Sequence, residues 1–130
     1  MSRADIKAII RRYPQHKAEL AALRSASGSG GNGHGTEVHR VTEDLAMRML
    51  PRQDQRELDA VEFAIRATQY NYGNGNDRLR LINLLYWSPD RYNLQGAAML
   101  IPCSVQTAKF WHNDFVQRVD MSLMVMAVKF

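Results

Sequence analysis

Asn93-Leu94-Gln95-Gly96-Ala97-Ala98-Met99-Leu100-Ile101-Pro102-Cys103-Ser104-Val105-Gln106-Thr107-Ala108-Lys109-Phe110-Trp111 is the stretch that decides how the whole chain is read. Asn93 suits the N-cap of a short helix, because its side-chain oxygen can accept from backbone N–H groups that a first turn leaves without partners. Pro102 forbids that helix from continuing. Ser104 then caps a second helix, on which Ala108, Trp111 and Phe115 recur at i, i+3 and i+7 as one buried face. Ala97 and Ala98 leave room where two backbones approach closely over a short turn, and Ile101 and Cys103 can seal the corner. The spacing predicts a helix-turn-helix over residues 93–119.

On the second helix Gln106, Lys109 and Asn113 also recur at i, i+3 and i+7, on a polar face turned away from Trp111. Gln and Asn can bond an adenine edge bidentately, and Lys serves a guanine edge or a phosphate. This is the face expected in a DNA major groove. The alternative is a plain helical hairpin whose polar face is merely solvated. Cys103 is best read as a small apolar filler, as lone buried cysteines usually are.

The 130 residues suffice for one small domain with a core. A net charge of +4 suits a nucleic-acid partner without requiring one. Residues 1–24 hold six basic side chains against Asp5 and Glu19, residues 42–71 hold four Arg against six acids, and the chain from Asp77 on holds six basic and four acidic residues. Basicity is therefore concentrated at the two ends. A single Cys rules out an internal disulfide and suits a reducing cytoplasm. Ile6, Ile9 and Ile10 are too interrupted by charge to form a signal peptide, and no run is long enough to span a bilayer, so no membrane partner is expected.

Outward from the motif, Ile6, Ile9, Ile10, Tyr13, Leu20 and Leu23 mark an amphipathic N-terminal arm over residues 1–24. Pro14 is expected to divide it into two helices, since proline disfavours a helical residue before it and suits a helix start. Residues 25–41 are rich in Gly and Ser and read as a flexible linker. A phosphate-cradling loop is the sharper alternative, but no Gly-Lys-Ser/Thr ending follows it. Residues 42–130 form the helical main domain. Thr42 opens one helix, which Pro51 stops. A second is expected over residues 52–71, its face drawn by Leu58, Val61, Ile65, Thr68 and Tyr72. After the break at residues 72–76, the segment from Asp77 to Trp87 is apolar nearly all round and belongs in the middle of the fold. The Met-rich tail, with Met121, Leu123, Met124, Val125, Met126, Val128 and Phe130, either folds onto the core or meets a partner subunit as a homo-oligomer contact. The fold class is all-α.

No convergent catalytic set emerges. His16, His34, His39 and His112 lie on separate segments, and none pairs with another His or Cys at metal spacing. Neither enzymatic activity nor a metal or cofactor is expected. Asp114 and Asp120, near Lys109 and Arg118, read as helix-surface ion-pair partners.

Several features together resemble the phage late-gene transcriptional regulators of the RinA and ArpU type, whose C-terminal part is similar to the fourth region of sigma factors. They are Leu81-Ile82-Asn83-Leu84-Leu85-Tyr86-Trp87, then Leu94-Gln95-Gly96-Ala97-Ala98, the turn with Ser104 and Thr107, and Trp111-His112-Asn113-Asp114-Phe115. Tyr13-Pro14 followed by Glu19-Leu20 is similar to that family's helical arm. The resemblance implies a sequence-specific activator of phage or prophage late genes, with Ser104, Gln106, Thr107, Lys109 and Asn113 at the start and outer face of the recognition helix. Phe110 and Arg91 complete the candidate DNA-contacting set. Host RNA polymerase is the implied protein partner, met through the acidic helix over residues 52–71 or the N-terminal arm. Two alternatives are a ring-forming small terminase-type packaging protein and a helical adaptor that binds protein through the Met-rich tail without touching DNA.

Overall fold

The computed structural model describes residues 2–28 and 50–128, all of whose regular structure is helical. The helices are α1 (Arg3–Gly28), α2 (Arg52–Asn71), α3 (Gly75–Ile82), α4 (Leu94–Leu100) and α5 (Val105–Val128), with a π-helical turn over Asn83–Trp87 that extends α3. Residues 42–49 of the helix expected from Thr42 to Leu50, the linker residues 29–41 and the tail residue Phe130 lie outside the described residues, while Leu50 is buried but not helical. No helix among the described residues is long and apolar enough to cross a membrane.

α2 and α5 form the central pair, and α1 lies against both. Two apolar clusters result. The larger takes Ile6, Ile9, Ile10 and Tyr13 from α1, Leu58, Val61 and Ala64 from α2, and Phe115, Val116 and Val119 from α5. The smaller joins Leu81, Ala97, Ala98, Ile101, Ala108 and Trp111. α5 runs through both, and the neighbours Leu81 and Ile82 of α3 enter different clusters. An all-round apolar helix is needed there because it is buried from two sides. Its start is tight: a Cβ on Gly75 would lie 2.5 Å from the backbone oxygen of Thr68.

α1 corrects the sequence expectation. Pro14 does not divide it; one helix of 26 residues runs past the proline, and it continues through residues 25–28, which the composition assigns to the linker. Nor does its apolar face stand apart from the main domain, since it supplies a wall of the larger cluster. The N-terminus is closed by a reciprocal cap, in which Asp5 N donates to Ser2 Oγ and Ser2 N donates to Asp5 Oδ2, each at 3.2 Å. Those hydrogen bonds hold the Asp5 carboxyl below its usual range.

The proline is tolerated for a specific reason. It has no N–H to offer the carbonyl of Ile10, four residues back. The Trp87 indole N–H donates to that carbonyl instead, at 2.8 Å, and the Trp87 ring lies against Tyr13 with centroids 5.2 Å apart. Trp87 reaches this position from the π-helical turn, closed by Ser88 N donating to Asn83 O at 2.7 Å. The apolar run expected as one helix to Trp87 therefore changes pitch at Asn83, and the wider turn ends where α1 needs a donor.

The Met-rich tail is the continuation of α5 rather than a separate segment. Its Leu123 and Met126 edge packs on the larger cluster, while Met121, Met124 and Val125 face solvent.

Candidate nucleic-acid interface

α4 and α5 meet as their capping residues dictate. Asn93 Oδ1 accepts from Gly96 N at 2.8 Å. Ser104 Oγ accepts from Thr107 N at 3.0 Å and donates to the Thr107 hydroxyl at 2.8 Å. Between these caps Ile101 is buried, and Cys103 N donates to Ala98 O at 3.1 Å. Burial pushes the half-buried Cys103 thiol above its ordinary pKa, in keeping with a packing role. Ala97, Ala98 and Ala108 are sealed from solvent where the two helices touch, so larger residues there would force them apart.

The candidate contact residues do not all share one surface. Ser104 and Thr107 are occupied in capping, Gln106 and Lys109 are exposed on the first turns of α5, and Arg91 is exposed in the loop before α4. Phe110 is also exposed, but on the α3 side, where the Arg78 guanidinium lies 5.9 Å from its ring centroid. Asn113 is partly covered, because its Oδ1 accepts from Arg3 Nη2 of α1. The polar ridge thus points outward at Gln106 and Lys109 and is closed by α1 at Asn113.

The same contact assembles a feature that the periodicity of α5 alone does not reveal. A cleft of about 350 Å³ is lined by Arg3, Lys7 and Arg11 from α1, Lys109, His112 and Asn113 from α5, and Leu85, Tyr86 and Leu94 between them. Four cations and no carboxylate line it. Arg3, Lys7 and Arg11 recur every four residues, a spacing that places them on one stripe of α1. That stripe is the signal in the sequence. What the sequence lacks is the second wall, which needs α1 docked beside α5.

Electrostatics inside the cleft follow from its lining. His112 is pushed down to about 4 by burial first and then by Lys7 and Arg3. Tyr86 is pushed up to about 12 by burial, against the pull of Arg11 and Arg3. Both are neutral near pH 7, and the Tyr86 hydroxyl and His112 Nε2 share a hydrogen bond. The cleft is positive through its four outer cations while its floor is uncharged, which suits a polyanion that brings its own charge.

A pH dependence follows. Between about 4 and the ordinary histidine pKa of 6.5, the unfolded chain binds a proton that the folded chain refuses. Stability contributed above pH 6.5 is therefore lost as pH falls toward 4, by on the order of 1 kcal/mol once screening of this half-buried ring is allowed for. His112→Gln, which keeps an acceptor for Tyr86, should flatten the fall of the thermal midpoint between pH 7 and 4.5. Parallel curves for the two proteins would place the acid sensitivity elsewhere.

The other flank of α5 is tied down by an ion-pair network. Asp114 Oδ2 accepts from Arg118 Nε at 3.0 Å and from the Tyr72 hydroxyl at 3.3 Å, while Arg78, buried and stacked 3.6 Å over the Tyr72 ring, approaches it at 3.5 Å. The expected pairing of Asp114 on the helix surface is present, enlarged by α3. This network fixes the rotation of α5, and with it the direction in which Gln106 and Lys109 face. No family model, curated protein or solved structure matches the chain.

Proposed function

We propose that this protein binds double-stranded DNA through α4 and α5, with the cation-lined cleft of α1 and α5 holding the phosphate backbone beside the reading helix. The observation that carries this is the convergence of Arg3, Lys7, Arg11 and Lys109 on one cleft without a carboxylate, next to the exposed first turns of α5. Phosphate contacts fix register, while base-edge contacts select sequence. In this reading Gln106 meets a base edge, and Lys109, which also lines the cleft, meets a phosphate beside it. Arg3, Lys7 and Arg11 are placed for phosphates, and Asn113 positions Arg3 rather than reading a base. The resemblance to phage late-gene regulators supports transcriptional activation as the purpose of that binding, with host RNA polymerase as the protein partner.

A second reading concerns assembly. Phe63 on α2 and Met121 and Val125 on α5 are exposed together around a groove of about 270 Å³. An apolar, Met-rich groove favours a protein contact, and a second copy of this chain would present two reading helices related by a two-fold axis.

Selecting bound duplexes from a random pool tests both readings. A recovered motif that loses its preference in a Gln106→Ala/Lys109→Ala variant supports base reading, and a palindromic motif supports the dimer. Recovery of no duplex above background would remove DNA binding and leave the apolar groove as the functional surface.

A further inference from the structure

We propose that His16, Glu19 and Asp54 form a binding site for a divalent first-row transition metal ion that clasps α1 to the start of α2. His16 and Glu19 lie one turn apart on α1, and Asp54 lies in the first turn of α2. One ligand atom from each of the three falls within 4.8 Å of the other two. The site is independent of the proposed DNA cleft, and none of its residues lines it.

The buried histidine is what makes this more than two neighbouring acids. His16 is 4% exposed, yet its Nδ1 is buried without a hydrogen-bond partner. Glu19 Oε2 lies 3.9 Å from Nδ1, too far for a hydrogen bond. The opposite ring nitrogen is occupied, since Nε2 lies 3.3 Å from Glu57 Oε1. A carboxylate behind one ring nitrogen holds its proton there and leaves the other nitrogen's lone pair for a metal.

Glu57 is itself fixed for that task. Gln53 Nε2 donates to its Oε2 at 3.3 Å, while Arg12 and His16 both meet its Oε1. Arg12 reaches Glu57 Oε1 from Nε at 3.1 Å and from Nη2 at 2.9 Å. Glu57 is therefore held in place as an acceptor behind His16 Nε2. On the other side, Gln15 donates to Glu19 Oε1 at 3.1 Å, which turns Oε2 toward His16.

The donor set selects the ion class. One imidazole and two carboxylates suit Zn²⁺, Co²⁺, Mn²⁺ or Fe²⁺; the nitrogen disfavours Ca²⁺ and Mg²⁺, and the lack of a thiolate disfavours Cu⁺. Bonds of about 2.0–2.2 Å require the ligand atoms to close to about 3.4 Å. That closure falls on Glu19, whose side chain is 45% exposed, and on half-buried Asp54, both able to move. Three protein ligands leave the remaining positions to water.

Cobalt(II) tests the site in the full chain after chelator treatment. We expect one Co²⁺ per chain, visible d–d absorption from a nitrogen-and-oxygen ligand field, and a higher thermal midpoint when loaded. A Glu19→Gln/Asp54→Asn variant, altered only at side chains on the helix surface, should keep its helical circular dichroism and lose the absorption. Glu57→Gln should weaken binding about 10- to 100-fold. Absence of Co²⁺ uptake by the unaltered chain, or uptake unchanged in the double variant, overturns the proposal. Duplex DNA binding can survive either result, so the two readings fail separately.

Discussion

An Arg3→Ala/Arg11→Ala/Lys109→Ala variant should bind duplex DNA on the order of 100-fold more weakly at low salt, with its helical content intact. Each cation that neutralises a phosphate releases condensed counterions and contributes about 0.9 to the slope of log affinity against log salt. Three lost contacts should therefore shallow that slope by about 2.7. All three side chains are exposed, and none is in the apolar core, so folding should tolerate their loss. The control is a variant with the same change in net charge made elsewhere, at Arg24, Arg66 and Arg80, also exposed. If that control loses as much affinity as the cleft variant, attraction is a property of overall charge and the cleft has no special role.

The largest effect on stability is expected at Trp87. Its replacement by Ala removes the ring contact with Tyr13, the apolar packing against the larger cluster and the donor to Ile10 O, at a cost of about 3 kcal/mol. Trp87→Phe keeps most of the packing and deletes the donor, leaving a helix carbonyl unsatisfied at about 1–2 kcal/mol. Pro14→Ala supplies a backbone N–H that can close the same carbonyl within α1. The penalty of Trp87→Phe should therefore shrink by about 1 kcal/mol in the Pro14→Ala background. Additive effects in denaturant unfolding would mean that the Ile10 carbonyl finds another partner and that Trp87 acts through packing alone.

This pair also shows where local sequence rules stop. Helix 52–71 was legible because its pattern and its flanking Pro51 agree, and the structure places it at Arg52–Asn71. Asn93 and Ser104 were legible as caps because the chemistry is contained within three residues. Pro14 was not, since the donor that rescues its helix lies 77 residues from the carbonyl it serves. The change of pitch at Asn83 was hidden for the same reason: what favours it is the position of Trp87 against α1, a tertiary contact.

The candidate site divides in the same way. The burial of Ala108, Trp111 and Phe115 followed from spacing along one helix, and so did the outward direction of Gln106 and Lys109. Asn113 shares their stripe but is claimed by Arg3 from 110 residues away. Arg3, Lys7 and Arg11 read as an ordinary solvated face until α1 is docked beside α5. His16 could not be read as a ligand, because Asp54 and Glu57 come from another helix and only the fold brings them beside its ring.

The most direct measurement is the salt dependence of the full chain's affinity for duplex DNA. Binding at 50 mM salt should weaken with a log–log slope of about −3.6, four cleft cations at about 0.9 each, and the slope should be shallower in the triple variant. A slope near zero, or no binding at low salt, would contradict that expectation.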